Sequence, residues 1–477
     1  MIRPSGRRSA RAPAAAAAVV AATALAAPSA ADAHGLVGKT NLPVPEWMFA
    51  WAAAIVLVAS FAGLAVLWQQ PRLARVRERL VGAAPRALEA LAGAFGVLVF
   101  AVTCYAGLRG IQNPQANLAP TIVFVILWVG FPFASVLFGD VFAAFSPWRA
   151  VGRAAGWLAA RLGSPAEPLR YPERLGRWPA AVGILAFAWV ELVYVGRDDP
   201  SNLAVLGLVY AAVQLVGMAL YGVRQWCDNA DPFGVYFGML ARLAPLRWHD
   251  RRLYLRPPAT ALVEDRPVVA GSTALVLVSI GTTSFDGFSQ GTAWADVAGR
   301  LVSFFQDLGL HGEAAIEAAF TVGLLAAVAI VAGFYLLGIA GMRSAARAGS
   351  TRELARAFSH TLWPIAFAYV FAHYFSLLAW QGQAVGYLAS DPLGHGSDLL
   401  GTAGWAIDYN WIGATAIWYL QVLALIGGHV TGLALAHERA LTLFRDGRVA
   451  TRSQYWMLTV MVGFTCLALW LISVASQ

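Results

Sequence analysis

Three histidines fall inside long apolar runs of this chain, where an ionisable side chain is costly unless it is paired or in use. His360 and His373 share the run 357–380, and His429 lies in the run 411–435 with Gln421 two turns before it. If these runs are antiparallel helices, His360 levels with His429 near one end of the pair. His373 then levels with Trp418 and Gln421 further along. Pro364 has no N–H to donate, so it breaks the helix between the two histidines and frees carbonyls that a metal, a water or a side chain must satisfy. Such imidazoles have three chemical uses. They hold a haem or metal between His360 and His429, they handle protons or substrate, or they hydrogen-bond as neutral rings within a bundle. Glu191, in Trp189-Val-Glu191-Leu-Val-Tyr194, adds a carboxylate that needs a partner, and Arg197 or a histidine would serve. Asp140 stands beside an arginine cluster and reads as half of a structural ion pair.

Two short patterns add nucleophile and metal chemistry. Gly287-Phe288-Ser289-Gln290-Gly291 matches G-x-S-x-G, whose glycines let a nucleophilic serine sit on a strained strand-to-helix turn. No alternation of strand and helix surrounds it, and a chain this rich in glycine also meets the pattern by chance. Ser289 shares the outside face with His311, His395 and several aspartates, which could complete a triad, and a hydrolase would draw on Ser289, His373, Glu191 and nearby outer carboxylates or histidines. His34 follows Ala31-Asp32-Ala33, an A-x-A cleavage site. Exposed as a mature N-terminus, it offers an amine and an imidazole to one copper ion, with His311, His395 or His373 as a further ligand. A divalent metal or copper is thus the cofactor to look for. The three cysteines, Cys104, Cys227 and Cys466, have no CxxC or Cys/His spacing and read as small apolar residues.

These groups must be positioned by membrane-spanning helices. Hydrophobic residues make up 59% of the chain and charged residues 13%, about half the share of roughly 25% in soluble domains. The net charge of +8 does not point to nucleic acid, because the arginines sit in short segments between apolar runs, where they set orientation. Runs long enough to cross about 30 Å of hydrocarbon are 48–68, 87–107, 120–142, 178–196, 203–223, 268–283, 315–342, 357–380, 411–435 and 455–474. The first 33 residues have a basic start, a short Ala-rich apolar stretch and the cleavage site, which is the layout of a signal peptide. With the new N-terminus outside, the five inside segments hold 26 arginines and the outside segments four basic residues. The expectation is an all-α, polytopic integral membrane bundle of about ten transmembrane helices in a bacterial inner membrane. Its partners are the lipid bilayer and a small-molecule substrate. Two inside stretches, 147–162 and 233–243, read as amphipathic helices lying on the anionic inner leaflet.

Several segments together carry a resemblance. They are His34-Gly-Leu-Val-Gly38, Leu42-Pro-Val-Pro-Glu-Trp47, Ser146-Pro-Trp148-Arg149, Asp231-Pro-Phe233-Gly234, Phe285-Asp-Gly-Phe-Ser289-Gln290-Gly291 and Ala372-His373-Tyr374-Phe375-Ser376. Over most of its mature length the chain resembles a group of multi-pass membrane proteins of high-GC bacteria labelled fenitrothion hydrolase. That resemblance implies a membrane-associated activity on organophosphates, a reaction that usually relies on a two-metal centre. The paired-histidine signature of such a centre is not in this sequence. Two readings therefore stand side by side. One is a membrane-embedded hydrolase with its site on the outer face or in the outer half of the bundle, using Ser289, His373 and Glu191. The other is an ion-coupled permease with Glu191, His360, His373, Gln421 and His429 along its pathway.

Overall fold

The computed structural model describes residues 46–73, 78–163, 167–263, 268–347, 349–444 and 446–475. The expected signal peptide and His34 lie outside these residues. The architecture is carried by helices α1 (Glu46–Leu67), α2 (Arg86–Arg109), α3 (Leu118–Phe138), α4 (Pro147–Arg161), α5 (Trp178–Leu192), α6 (Pro200–Tyr221) and α7 (Pro232–Leu240). After them come α8 (Ser272–Ser289), α9 (Thr292–Asp307), α10 (Glu313–Ala346), α11 (Thr351–Phe358), α12 (Trp363–Gln381), α13 (Ala414–Phe444) and α14 (Tyr455–Ala475). A helix overlies every apolar run read from the sequence. Among the described residues, six helical segments are long and apolar enough to cross a membrane: α2, α3, α6, α10, the α11–α12 segment Thr351–Leu388, and α13. Trp51–Leu67 and α5 are equally apolar but shorter.

Local chemistry sets many of the boundaries. Prolines occupy the first turn of α4, α5, α6, α7 and α12, where a missing N–H costs nothing. Gly139 and Gly222 end α3 and α6 with φ of 86° and 81°, a region open to glycine. The break implied by Pro364 is a 3-10 turn, Ser359–Leu362, which separates α11 from α12. Within α3 the stretch Thr121–Gly130 is a π-helix, a widened form that occurs at functional sites.

The structure corrects the sequence reading in three places. A three-stranded antiparallel sheet, in the order β1 (Arg79–Ala83), β3 (Arg252–Leu255), β2 (Leu246–His249), stands where only loops were expected. Its strands are only four or five residues long and each carries one arginine, too short for a pattern to announce them, and the hairpin turns on Asp250 and Arg251 at positive φ. The stretch 233–243 does not lie on the surface. Phe233, Tyr236, Phe237 and Leu240 of α7 are all at most 4% exposed, as a helix that is apolar all round requires. Finally, the sixth run extends to Ser289, which carries Asp286 from an expected loop into the bundle.

α8 is the hub of the packing, buried along most of its length against α5, α10, α12 and α14. α12 and α13 meet backbone to backbone. A Cβ on Gly428 would lie 2.4 Å from the Ala368 Cβ and 2.7 Å from the Pro364 carbonyl, and one on Gly432 would lie 2.9 Å from the Thr361 carbonyl.

Two buried carboxylates tie loops to helices. Glu438 of α13, fully buried, accepts hydrogen bonds from the Trp68 indole (3.0 Å) and from the backbone N–H groups of Arg72 (3.0 Å) and Leu73 (2.7 Å). Asp231, at 1% exposure, accepts from the Trp148 indole (3.0 Å) and the Tyr210 hydroxyl (2.6 Å). Burial pushes the Asp231 carboxyl above its ordinary range, and the bonds from Tyr210 and Trp148 only partly offset this. The folded chain therefore holds a proton that the unfolded chain releases, so stability falls as pH rises from about 4 through the raised value. Asp231→Asn is expected to flatten that part of the pH profile. Thermal unfolding of both proteins in detergent across pH 4 to 7 reads the difference.

Candidate functional site

Four helices bring titratable and aromatic groups together inside the bundle. α8 supplies Asp286 at 0% exposure, α12 supplies His373 and Tyr374, α5 supplies Glu191 and the π-helical part of α3 supplies Trp128. The His373 Nε2 lies 2.8 Å from the Asp286 Oδ2, so Nε2 carries the hydrogen and donates to the carboxylate. The Tyr374 hydroxyl donates to the same oxygen at 2.6 Å and lies 3.5 Å from the Glu191 Oε1. The Trp128 indole is close to both Tyr374 and Glu191 without meeting hydrogen-bond geometry. With Nε2 committed, His373 presents Nδ1 as its basic atom. Gly287 stands against it, and a Cβ there would touch Nδ1 at 3.7 Å.

The arrangement follows from the sequence of each helix. Asp286 and Gly287 are neighbours on the last turns of α8, so the residue that anchors His373 and the residue that leaves its other nitrogen uncovered come from one turn. His373 and Tyr374 are adjacent on α12 and reach the same carboxylate oxygen. A carboxylate that orients an imidazole stabilises the imidazolium formed when Nδ1 takes a proton. The phenol between two carboxylates makes a continuous order of groups, Glu191, Tyr374, Asp286 and His373, across three helices. Hydrogen bonds linked in this way polarise and strengthen one another inside a protein.

No family model, no curated protein and no solved structure matches the chain. The site is therefore read from its own geometry.

Of the residues expected to be catalytic, His373 and Glu191 lie in this cluster. Ser289 is the last residue of α8, and its hydroxyl donates to the Asp286 carbonyl at 2.9 Å. Its G-x-S-x-G segment is thus a helix end followed by a second helix, not the strand-to-helix turn that exposes a nucleophile. Ser289→Ala is expected to leave activity within about twofold of wild type, since general acid–base and nucleophilic roles are each worth 10²-fold or more. A steady-state rate on the reconstituted protein checks this.

His360 and His429 face different surroundings. His360 lines a cavity at the arginine-rich end of the bundle, whereas His429 is fully buried against Tyr369, with ring centroids 6.2 Å apart. The His429 Nδ1 donates to the Leu425 carbonyl at 2.8 Å along its own helix, and its buried Nε2 has no partner. His311 and His395 are exposed, and among the described residues no three His, Cys, Asp or Glu side chains form a group that could hold a metal ion. Gln421 is buried on α13.

Sequence reasoning missed Asp286 and Tyr374. Asp286 falls among the acidic residues of an expected outer loop, because the apolar run ends at Thr283. A usable signal was present: the Phe285 to Gly291 segment and the Ala372 to Ser376 segment both carry the resemblance, and the structure joins them through Asp286, His373 and Tyr374.

Proposed function

We propose that the chain is a proton-coupled carrier of the bacterial inner membrane, in which Glu191, Tyr374, Asp286 and His373 load and release a proton as a solute crosses. One observation carries this reading: Asp286, wholly buried in a bundle of apolar helices, accepts from both His373 and Tyr374, with a second carboxylate 3.5 Å beyond the phenol. Ionisable groups at that depth mark proton and ion pathways. An interrupted helix beside the cluster favours transport as well, since irregular backbone within a membrane is tolerated where it lines a pathway. The π-helical stretch of α3 is such an interruption, and the 3-10 turn before α12 is a second one nearer the arginine-rich end.

In this proposal the chain crosses the membrane ten times. A signal peptide is removed after Ala33, His34 becomes the outside N-terminus and the arginine-rich segments face the cytosol. The distribution of 26 basic residues against four supports that orientation. α4 then lies along the inner leaflet, with Val151, Trp157, Leu158 and Leu162 exposed to lipid.

A second reading is a hydrolase of the resembling group, in which Nδ1 of His373 activates a water for attack on an organophosphate. The meeting of two resemblance segments at Asp286 and His373 favours it. Proteoliposomes carrying an internal pH dye separate the two. Solute-dependent proton movement that His373→Ala abolishes supports the carrier. Turnover of a chromogenic phosphotriester without proton movement supports the hydrolase, and neither activity in the wild type sinks both.

A further inference from the structure

At the opposite end from the buried relay lies a cavity of about 470 Å³ whose walls carry six arginines: Arg149, Arg177, Arg242, Arg247, Arg256 and Arg439. None of the four relay residues lines it. The arginines come from three of the basic segments and are held by structure rather than dangling in solvent. Arg256, at 7% exposure, donates to the Ala241 and Ala244 carbonyls (both 3.2 Å), and Arg242 donates to the Ala261 carbonyl. Arg247 and Arg256 share Glu78 at 2.7 Å and 3.4 Å, which pins the β2–β3 hairpin over the cavity.

Arg177 is the informative member. Among the described residues it has no carboxylate within ion-pair distance. Its Nη1 donates only to the Met239 sulfur (3.1 Å) and the Ser272 hydroxyl (3.2 Å), and its buried Nε has no partner. The buried Nε of Arg149 is likewise unpartnered, and the nearest carboxylate to that guanidinium, on Asp228, is 3.8 Å away. Burial lowers the Arg177 pKa from its ordinary value, and the charge of Asp228, which also lines the cavity with Asp140, offsets this only in part. A guanidinium keeps its charge even so, and a desolvated one is costly unless an anion meets it.

We propose that this cavity binds a phosphate-bearing anion, with Arg177 and Arg149 as its forked donors. A phosphate oxygen pair matches the planar fork of a guanidinium, and a cluster of arginines is the usual answer to a multiply charged oxyanion. A cavity of this volume holds a small phosphorylated molecule whole. Apolar wall residues, Trp363, Leu262 and Val269 among them, leave room for the organic part of a phosphomonoester or for the glycerol region of a phospholipid headgroup.

The test uses the full chain, purified in detergent free of phosphate. Equilibrium dialysis against radiolabelled inorganic phosphate, at ionic strength held constant with chloride, is expected to give saturable binding of one equivalent. Arg177→Gln should weaken it at least tenfold, and Arg177→Lys should weaken it less. If Arg177→Gln does not fold, Arg177→Lys alone decides, because it keeps the charge and removes the fork. A second arm asks for the source: native mass spectrometry of protein taken from nanodiscs of phosphatidylcholine with or without phosphatidylglycerol. Retained phosphatidylglycerol that Arg177→Lys loses, with only weak binding of inorganic phosphate, identifies a lipid headgroup. Tight phosphate binding with no retained lipid identifies a free phosphorylated compound. The proposal is overturned if neither probe binds above the chloride background, or if binding is unchanged in the Arg177 variants. It stands or falls separately from the relay.

Discussion

Asp286→Asn should lower proton-coupled activity by a factor of about 100 or more while the protein still folds, the range expected when a group that takes part in proton transfer is lost. The amide keeps the size of the carboxylate and can still accept from Tyr374, so packing around α8 survives. What it loses is the charge that stabilises an imidazolium on His373. Tyr374→Phe makes the sharper cut. It leaves the 2.8 Å contact between Asp286 and His373 in place and removes the only oxygen standing between Asp286 and Glu191 among the described contacts. If protons travel the full order of groups, this variant falls at least tenfold. If the aspartate and histidine act alone, it stays near wild type. Internal pH in proteoliposomes reads both variants, and elution as a monodisperse species from a sizing column confirms that they fold.

Glu438→Ala is expected to have the largest effect on stability. Its carboxylate satisfies three donors from the segment that follows α1, and two of them are backbone N–H groups. Leaving a buried donor unsatisfied costs about 1–3 kcal/mol, so leaving all three donors without their acceptor should cost roughly 3 kcal/mol or more. Glu438→Gln keeps one acceptor oxygen and should cost less than half as much. The neighbouring His437, whose Nε2 donates to the Trp68 carbonyl at 2.8 Å and whose Nδ1 receives the Gln454 amide at 3.1 Å, belongs to the same anchor and should add to the loss when changed. Thermal unfolding in detergent, followed by the fluorescence of a reporter outside the bundle, gives the ranking.

The helical layout was legible because long apolar runs admit few other structures. The placement of Glu191 and His373 in one site was legible only as far as depth goes, since both sit inside apolar runs. What tied them together was not. Asp286 lies past the point where the apolar run fades, and hydropathy ends the helix at Thr283 while its hydrogen bonds carry it to Ser289. The sheet was hidden for a related reason: strands as short as β2 and β3 bear arginines and aromatic residues in an order that reads as loop. The resemblance segments sorted themselves in space rather than in sequence. Trp148 of one reaches Asp231 of another, while Asp286 of a third reaches His373 and Tyr374 of a fourth. One pairing fastens a loop and the other builds the buried cluster.

The direct contact between α12 and α13 has a mechanical consequence. At Gly428 and Gly432 the Pro364 and Thr361 carbonyls lie against bare Cα atoms, which leaves little room for sliding at those two points. Held there, the two helices are expected to tilt together, with His373 carried on α12. Asp286 sits on α8 and is joined to α12 through side-chain contacts alone at this site. A tilt of the pair by an ångström or two would stretch the 2.8 Å link and not the glycine contact, so the fold itself chooses which joint gives first.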